Sequence, residues 1–149
     1  MLARINTSLS GRPIEAQFVC ITYAIWDPKQ KRLELANSGL PRPIFCRGGK
    51  AQRIEATGLP LGLFPTAEYE PLKFEAQPGD VFLFFSDGLI DAANAAGELF
   101  GRTRIEKIVA ENCGKSADEL VQILFDAAAE HAAGVDAFDD QTAVALKVL

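Results

Sequence analysis

Histidine, cysteine and clustered basic residues are all scarce in this chain of 149 residues, and each scarcity closes off a class of function. There is one histidine, His131, and there are three cysteines, Cys20, Cys46 and Cys113. No pair of these has zinc-ligand spacing. Odd in number and widely spaced, the cysteines read as reduced, small apolar groups of a cytoplasmic protein rather than as a disulfide framework. A cysteine nucleophile finds no support, because no histidine lies near one in sequence. The 15 Lys and Arg are scattered and outnumbered by 20 Asp and Glu, for a net charge of −5. That balance argues against a nucleic-acid partner, which needs clustered cations for the phosphate backbone. No apolar run reaches the roughly 20 residues that cross a bilayer. Residues 1–6 (MLARIN) lack the apolar stretch of a signal peptide. The expectation is a cytoplasmic chain without membrane insertion, free of repeats and linkers, with a length suited to one domain and a real core.

What is present is a succession of strand signals followed by helix signals. Leu2, Ile5 and Leu9 have helical spacing, and Gly11-Arg12-Pro13 should end that helix. Residues 18–26 (FVCITYAIW) are rich in β-branched and aromatic side chains and predict a buried strand. Asp27-Pro28 begins a turn, after which residues 32–37 (RLELAN) alternate and should pair back as a hairpin. Short strands are expected at 44–47 and 51–56 around Gly48-Gly49, and another at 69–76. Between them, residues 57–64 (TGLPLGLF) form a Gly/Pro loop expected to pack two Leu side chains. The unbroken apolar run Val81–Phe85 predicts a strand covered on both faces. Thr103…Glu106 and Ser116…Glu119 match the capping-box pattern, so a helix should begin at each. The second carries Leu120, Ile123, Leu124 and Ala127 on one stripe and should stop at Gly134. His131, near its end, suits a dipole or capping role. Residues 142–149 (TAVALKVL) read as a last strand. Many strands with few helices imply an α+β layering rather than alternating βαβ units.

Two short acidic runs carry the chemistry. Ser86-Asp87-Gly88-Leu89 follows the apolar strand at 81–85, and Asp139-Asp140-Gln141-Thr142 precedes the final strand. Each sets a carboxylate where a strand meets a loop, so that the backbone is fixed and the side chain stays reachable. Two such carboxylates, distant in sequence, can converge on one hard cation. Phe84–Asp91 also mimics the haloacid-dehalogenase signature. That chemistry needs an Asp two residues before the Asp-Gly pair, where this chain has Phe85, which cannot attack phosphorus.

The ordered set of motifs resembles a known family. It runs through Phe18-Val19 with Thr22-Tyr23, Leu35-Ala36-Asn37-Ser38-Gly39, Leu59-Pro60-Leu61-Gly62 and Gly79-Asp80. It continues with Ser86-Asp87-Gly88-Leu89, Gly97-Glu98 with Phe100-Gly101, and Asp139-Asp140-Gln141-Thr142. This is similar to the C-terminal two-thirds of the PP2C-like (PPM-type) serine/threonine phosphatases of the sporulation stage II E and sigma-factor-regulator branch, matching from about residue 18 to the end. The resemblance implies a β-sandwich flanked by helices, incomplete at its N-terminus, so that residues 1–149 form a single partial phosphatase domain. It implies two Mn²⁺ or Mg²⁺ ions held mainly by aspartates, with a metal-bound water rather than a side chain as nucleophile toward phosphoserine or phosphothreonine. Asp87 matches the metal ligand of the family's Ser-Asp-Gly motif, and Asp139 the ligand of its Asp-Asp-x-Thr motif. Gly88 would let the chain turn away from the metal. Asp140 would be an outward-turned neighbour or an outer acceptor, and Thr142 would cap or orient the loop. The implied partner is a phosphorylated regulatory protein of anti-anti-sigma type.

Two departures bear on activity. The family's N-terminal third supplies further metal ligands through a Gly-Asp motif and a following Asp-Gly element, and nothing in residues 1–17 matches them. Two carboxylates and water hold Mg²⁺ only weakly, since that ion gives up its own waters reluctantly. Many members also carry Asn-Ala-Gly-His where this chain has Asn37-Ser38-Gly39-Leu40, so that histidine's role does not transfer. Three expectations follow. The chain is a phosphatase domain that shows little or no activity by itself; or it is a non-catalytic module derived from such a phosphatase that docks a regulator; or it completes its fold as a homodimer, because a sheet without its neighbours leaves open edges.

Overall fold

The computed structural model describes residues 1–10 and 18–149. The helix breaker expected at Gly11-Arg12-Pro13 lies outside the described residues. In chain order the elements are α1 (Leu2–Ser10), β1 (Ile21–Asp27), β2 (Arg32–Ser38), β3 (Ile44–Arg47), β4 (Lys50–Arg53), β5 (Leu72–Glu75), β6 (Val81–Phe85), α2 (Asp87–Ile90), α3 (Gly101–Asn112), α4 (Ala117–Ala132) and β7 (Ala143–Lys147). They fall into two compact units, the first spanning 1–42 and 55–76, the second 43–54 and 77–149. None of the described helices is long and apolar enough to cross a membrane.

The first unit is built on a three-stranded antiparallel sheet in the order β1-β2-β5. The expected hairpin forms: the Asp27 carboxylate accepts from the N–H groups of Lys29 (2.9 Å) and Gln30 (3.0 Å), closing the corner that pairs Asp27 with Arg32. Alternation along β2 buries Leu33 and Leu35. β1 is less covered than its apolar sequence suggests. Ile25 is 51% exposed, because among the described strands β1 pairs only with β2. α1 sets Leu2 against Ala36 and Leu61. Its buried Asn6 donates to the Phe64 carbonyl (2.9 Å) and accepts from the Gly62 N–H (2.8 Å), which ties the Gly/Pro loop to the helix. That loop packs one Leu, not two: Leu61 is buried and bridges Val19, whereas Leu59 points outward.

The second unit is a four-stranded antiparallel sheet in the order β4-β3-β6-β7, with α3 and α4 beside it. β6 is its buried spine. Phe82 and Leu83 are both fully buried although successive strand side chains face opposite ways, as the unbroken apolar run requires. Leu83 and Phe85 meet Ile105 and Val109 of α3 and Leu120, Leu124 and Ala128 of α4 in one cluster. The α4 stripe is thus Leu120, Leu124 and Ala128, at strict four-residue spacing. Its capping box forms as expected: Ser116 Oγ accepts from the Glu119 N–H, and the Glu119 carboxylate accepts from the Ser116 N–H (2.9 Å). The chain leaves α4 through Ala133 and Gly134, both at positive φ. The capping box expected at Thr103 does not form. Helix α3 begins earlier, at Gly101, and the Glu106 carboxylate is paired with Arg53 of β4 rather than turned back toward Thr103.

Burial is harsh on the one charged group sealed into this unit. Asp80 is 1% exposed, and the Arg47 guanidinium meets it as a two-toothed fork, Nε to Oδ1 at 2.8 Å and Nη2 to Oδ2 at 2.6 Å. Burial by itself would raise the Asp80 carboxyl, but the Arg47 fork and the Gln77 N–H outweigh it and hold it below the usual carboxylate value. Because the folded-state value lies below the unfolded value of about 3.9, this contribution is complete above that pH. It is lost as the pH falls through the folded value. Asp80→Asn is expected to cost about 1–3 kcal/mol in urea unfolding at pH 7 and to flatten the acid limb of the stability curve below about pH 4.

Candidate metal centre

The site grows out of the β6–β7 ladder. Its last rung pairs Phe85 with Ala143. One position further, the Ser86 N–H donates to the Thr142 carbonyl (3.0 Å), the Thr142 N–H donates to Ser86 Oγ (3.0 Å), and Ser86 Oγ donates to the Asp140 carbonyl (3.0 Å). Two segments more than fifty residues apart in sequence become neighbours. Asp87 opens α2 on one side, and Asp139 and Asp140 lie in the loop entering β7 on the other. All three carboxylates are exposed.

Gly88 makes the approach possible, though not as a pivot. It has no positive φ; what counts is its missing side chain. A Cβ there would stand 2.4 Å from the Asp140 carbonyl oxygen and 3.1 Å from that of Asp139. Gly88 is therefore required by the passage of the 139–140 backbone. Asp140 contributes through its backbone, its carbonyl held by Ser86 and its N–H donating to Asp139 Oδ1 (2.7 Å). This bond fixes one oxygen of Asp139. Thr142 likewise acts through its N–H and carbonyl, which orient the loop. Ser86 is a residue of the site that the sequence reading does not single out; its signal is the Ser-Asp-Gly triplet, which by itself reads as a strand-exit turn.

Exposed carboxylates fixed at strand ends are hard oxygen donors of the kind Mg²⁺ and Mn²⁺ prefer. The donor set fits part of such an ion's shell. Among the described residues no group of three or more His, Cys, Asp or Glu side chains converges as a metal site, so the fit covers a share of the ligands only. Beside Asp139 and Asp140 lies a cavity of about 370 Å³, walled by Ala92, Ala128 and Ala132 and reached by Asp136. The loop leading from α2 is braced by Asn94, whose Oδ1 accepts from the Ala96 and Glu98 N–H groups (both 3.0 Å). His131 holds that loop to α4 through a 2.8 Å hydrogen bond between Nε2 and the Glu98 carbonyl. This is a bracing role in place of the capping role its position suggested. Cys46 is buried and stays out of the chemistry. Burial, together with the neighbouring Cys113, pushes the Cys46 thiol up to about 12, so it is un-ionised at neutral pH.

The family model described as Stage II sporulation protein E (SpoIIE) matches residues 1–149. This chain belongs to that family. The SpoIIE family is one of PP2C-type phosphatases, in agreement with the resemblance carried by the motifs. Two curated relatives are Protein IcfG of Synechocystis sp., 26% identical over 133 residues, and the phosphoserine phosphatase RsbU of Bacillus subtilis, 26% identical over 129 residues. These alignments cover 88% and 85% of the chain but 21% and 38% of the relatives, so the chain spans well under half of either. Among solved structures, the SiaA-PP2C domain of Pseudomonas aeruginosa superposes with a TM-score of 0.88 at 17% identity, over 99% of this chain and 59% of that one. The phosphatase domain of SpoIIE from Bacillus subtilis, from a Mn-presoaked crystal, gives 0.70 at 17% identity, over 99% and 64%. The fold is thus that of a PP2C domain, of which this SpoIIE-family chain spans part. Gly88→Ala is expected to force the Asp139–Asp140 loop away. The overpacking should cost about 1–3 kcal/mol in urea unfolding, and the amides of residues 139–142 should move in a ¹H–¹⁵N spectrum while those of α3 stay in place.

Proposed function

We propose that residues 1–149 act as one partial domain of a metal-dependent protein serine/threonine phosphatase, to which Asp87 and Asp139 contribute metal ligands. One observation carries this. The closure of Ser86 onto Asp140 and Thr142 brings both sequence-predicted carboxylate positions to the same end of one sheet. The chemistry supplied by bound Mn²⁺ or Mg²⁺ would be charge compensation at the phosphoryl group and acidification of water. The chain's own share is to hold Asp87 at the start of α2, to fix Asp139 through the Asp140 N–H, and, by the missing side chain of Gly88, to let the Asp139–Asp140 backbone pass close by. The substrate is a regulatory protein carrying phosphoserine or phosphothreonine, of anti-anti-sigma type. The naming of RsbU as a phosphoserine phosphatase supports this.

A second reading is favoured by a specific finding, the absence of a third converging ligand among the described residues. In that reading the chain is a regulator-binding module derived from a phosphatase, without turnover of its own. Turnover of p-nitrophenyl phosphate with Mn²⁺ separates the two when this chain is compared with a version extended at its N-terminus. The extended protein should turn over, this chain should show little or none, and Asp87→Asn or Asp139→Asn in the extended protein should lower the rate at least tenfold, as loss of even an outer metal-orienting group does. An extended protein as inert as this chain would leave the binding module as the function.

A further inference from the structure

A serine immediately before a helix ordinarily accepts from the backbone N–H two or three residues on. Ser86 precedes α2 with extended φ −84° and ψ 164°, the backbone of such a cap, yet its side chain makes no capping bond. The hydroxyl faces the other way. It accepts from the Thr142 N–H and donates to the Asp140 carbonyl, both at 3.0 Å.

The register explains what this accomplishes. Ser86 lies opposite Thr142 as the continuation of the Phe85–Ala143 rung. In an antiparallel ladder, two residues facing each other in a hydrogen-bonded pair exchange both backbone bonds. Here only one is exchanged, from the Ser86 N–H to the Thr142 carbonyl. The return bond from the Thr142 N–H goes to Ser86 Oγ instead of the Ser86 carbonyl. The carbonyl is thereby released to face α2, where the Leu89 N–H stands 3.4 Å away. The side chain substitutes for a main-chain acceptor, so the strand can become a helix at this residue without leaving the neighbouring N–H unpaired. The donor hydrogen of the same hydroxyl then pins the carbonyl next to Asp139.

We infer that Ser86 is a positioning residue: its hydroxyl fixes the 139–142 loop against the start of α2 and so sets the separation of the Asp87 and Asp139 carboxylates. The inference rests on the metal-site reading above for its consequence, but not for its geometry. It specifies a hydroxyl, because the position needs one acceptor and one donor on a short side chain. Threonine supplies both and alanine neither.

The test uses this chain and its Ser86→Ala and Ser86→Thr variants. Without metal, amide hydrogen exchange of Thr142 should speed up roughly five- to tenfold in Ser86→Ala, the loss of one net hydrogen bond, and stay near the parent rate in Ser86→Thr. Amides of the α3–α4 core should be unchanged. With Mn²⁺ added stepwise, paramagnetic broadening of the amides at 87–88 and at 139–140 should track together in the parent chain and in Ser86→Thr. Ser86→Ala should need on the order of ten times more Mn²⁺. Unchanged exchange at Thr142 in Ser86→Ala, or equal loss in both variants, would overturn the clamp. So would faster exchange with Mn²⁺ broadening left as in the parent, which is what a purely structural bond gives. If the parent shows no broadening at either segment even at a large excess of Mn²⁺, the metal-site reading fails by itself, and the clamp stands or falls on the exchange rates.

Discussion

Burying a charged carboxylate without partners costs several kcal/mol, so a strand as apolar as Val81–Phe85 cannot carry one along its length. It can present Asp87 only past its own end, and only if the backbone groups exposed by ending the ladder there find other partners. The Ser86 hydroxyl meets that requirement by standing in for its own carbonyl toward Thr142 and holding the carbonyl of Asp140. Everything that makes the second unit a candidate site follows from this exchange. α2 can start at Asp87, Asp139 is brought beside it, and Gly88 is fixed as glycine by the backbone passing at contact distance. Asp80 shows the contrasting solution in the same unit: a carboxylate that is buried, and tolerated because Arg47 and Gln77 saturate both oxygens.

Membership of the SpoIIE family and a PP2C fold that covers 59% of the SiaA domain agree with the proposal that Asp87 and Asp139 supply only part of a metal shell. The described carboxylates are too few to enclose a hard cation, and one oxygen of Asp139 is held by the Asp140 N–H. On the proposed reading, two carboxylates at the end of one sheet suit a site completed by other ligands, since ligands from separate elements must meet at fixed separation. The braces around it point the same way. Asn94 closes its loop internally, and His131 attaches that loop to α4, leaving the alanine-walled cavity beside Asp139 open.

Much of this was legible in the sequence where local chemistry decides the outcome. The Asp27 turn, the Ser116 capping box, the double burial of β6 and the two acidic strand ends all came from residues that interact with near neighbours or follow a strict period. The misreadings share a cause in tertiary competition. Glu106 matched a capping box but is paired with Arg53, a partner fifty-three residues away. The apolar run at 18–26 suggested a covered strand, but cover depends on the neighbours of β1, which the run itself does not encode. The resemblance gives Gly88 the role of letting the chain turn away from the metal; its constraint in the structure is the Asp140 carbonyl, which no local pattern reveals. Ser86 was hidden for the same reason, since its partners lie beyond position 138.

The central claim is that positions 87 and 139 serve one shared set of divalent cations. The most direct measurement is anomalous diffraction at the manganese edge from crystals of an N-terminally extended form of the chain soaked in Mn²⁺. The account predicts anomalous peaks at the end of the β6–β7 ladder, with the Asp87 and Asp139 carboxylates both within about 2.0–2.6 Å of the ions, the range of hard-cation oxygen ligands. Manganese bound elsewhere, with those two side chains turned to solvent, would contradict it.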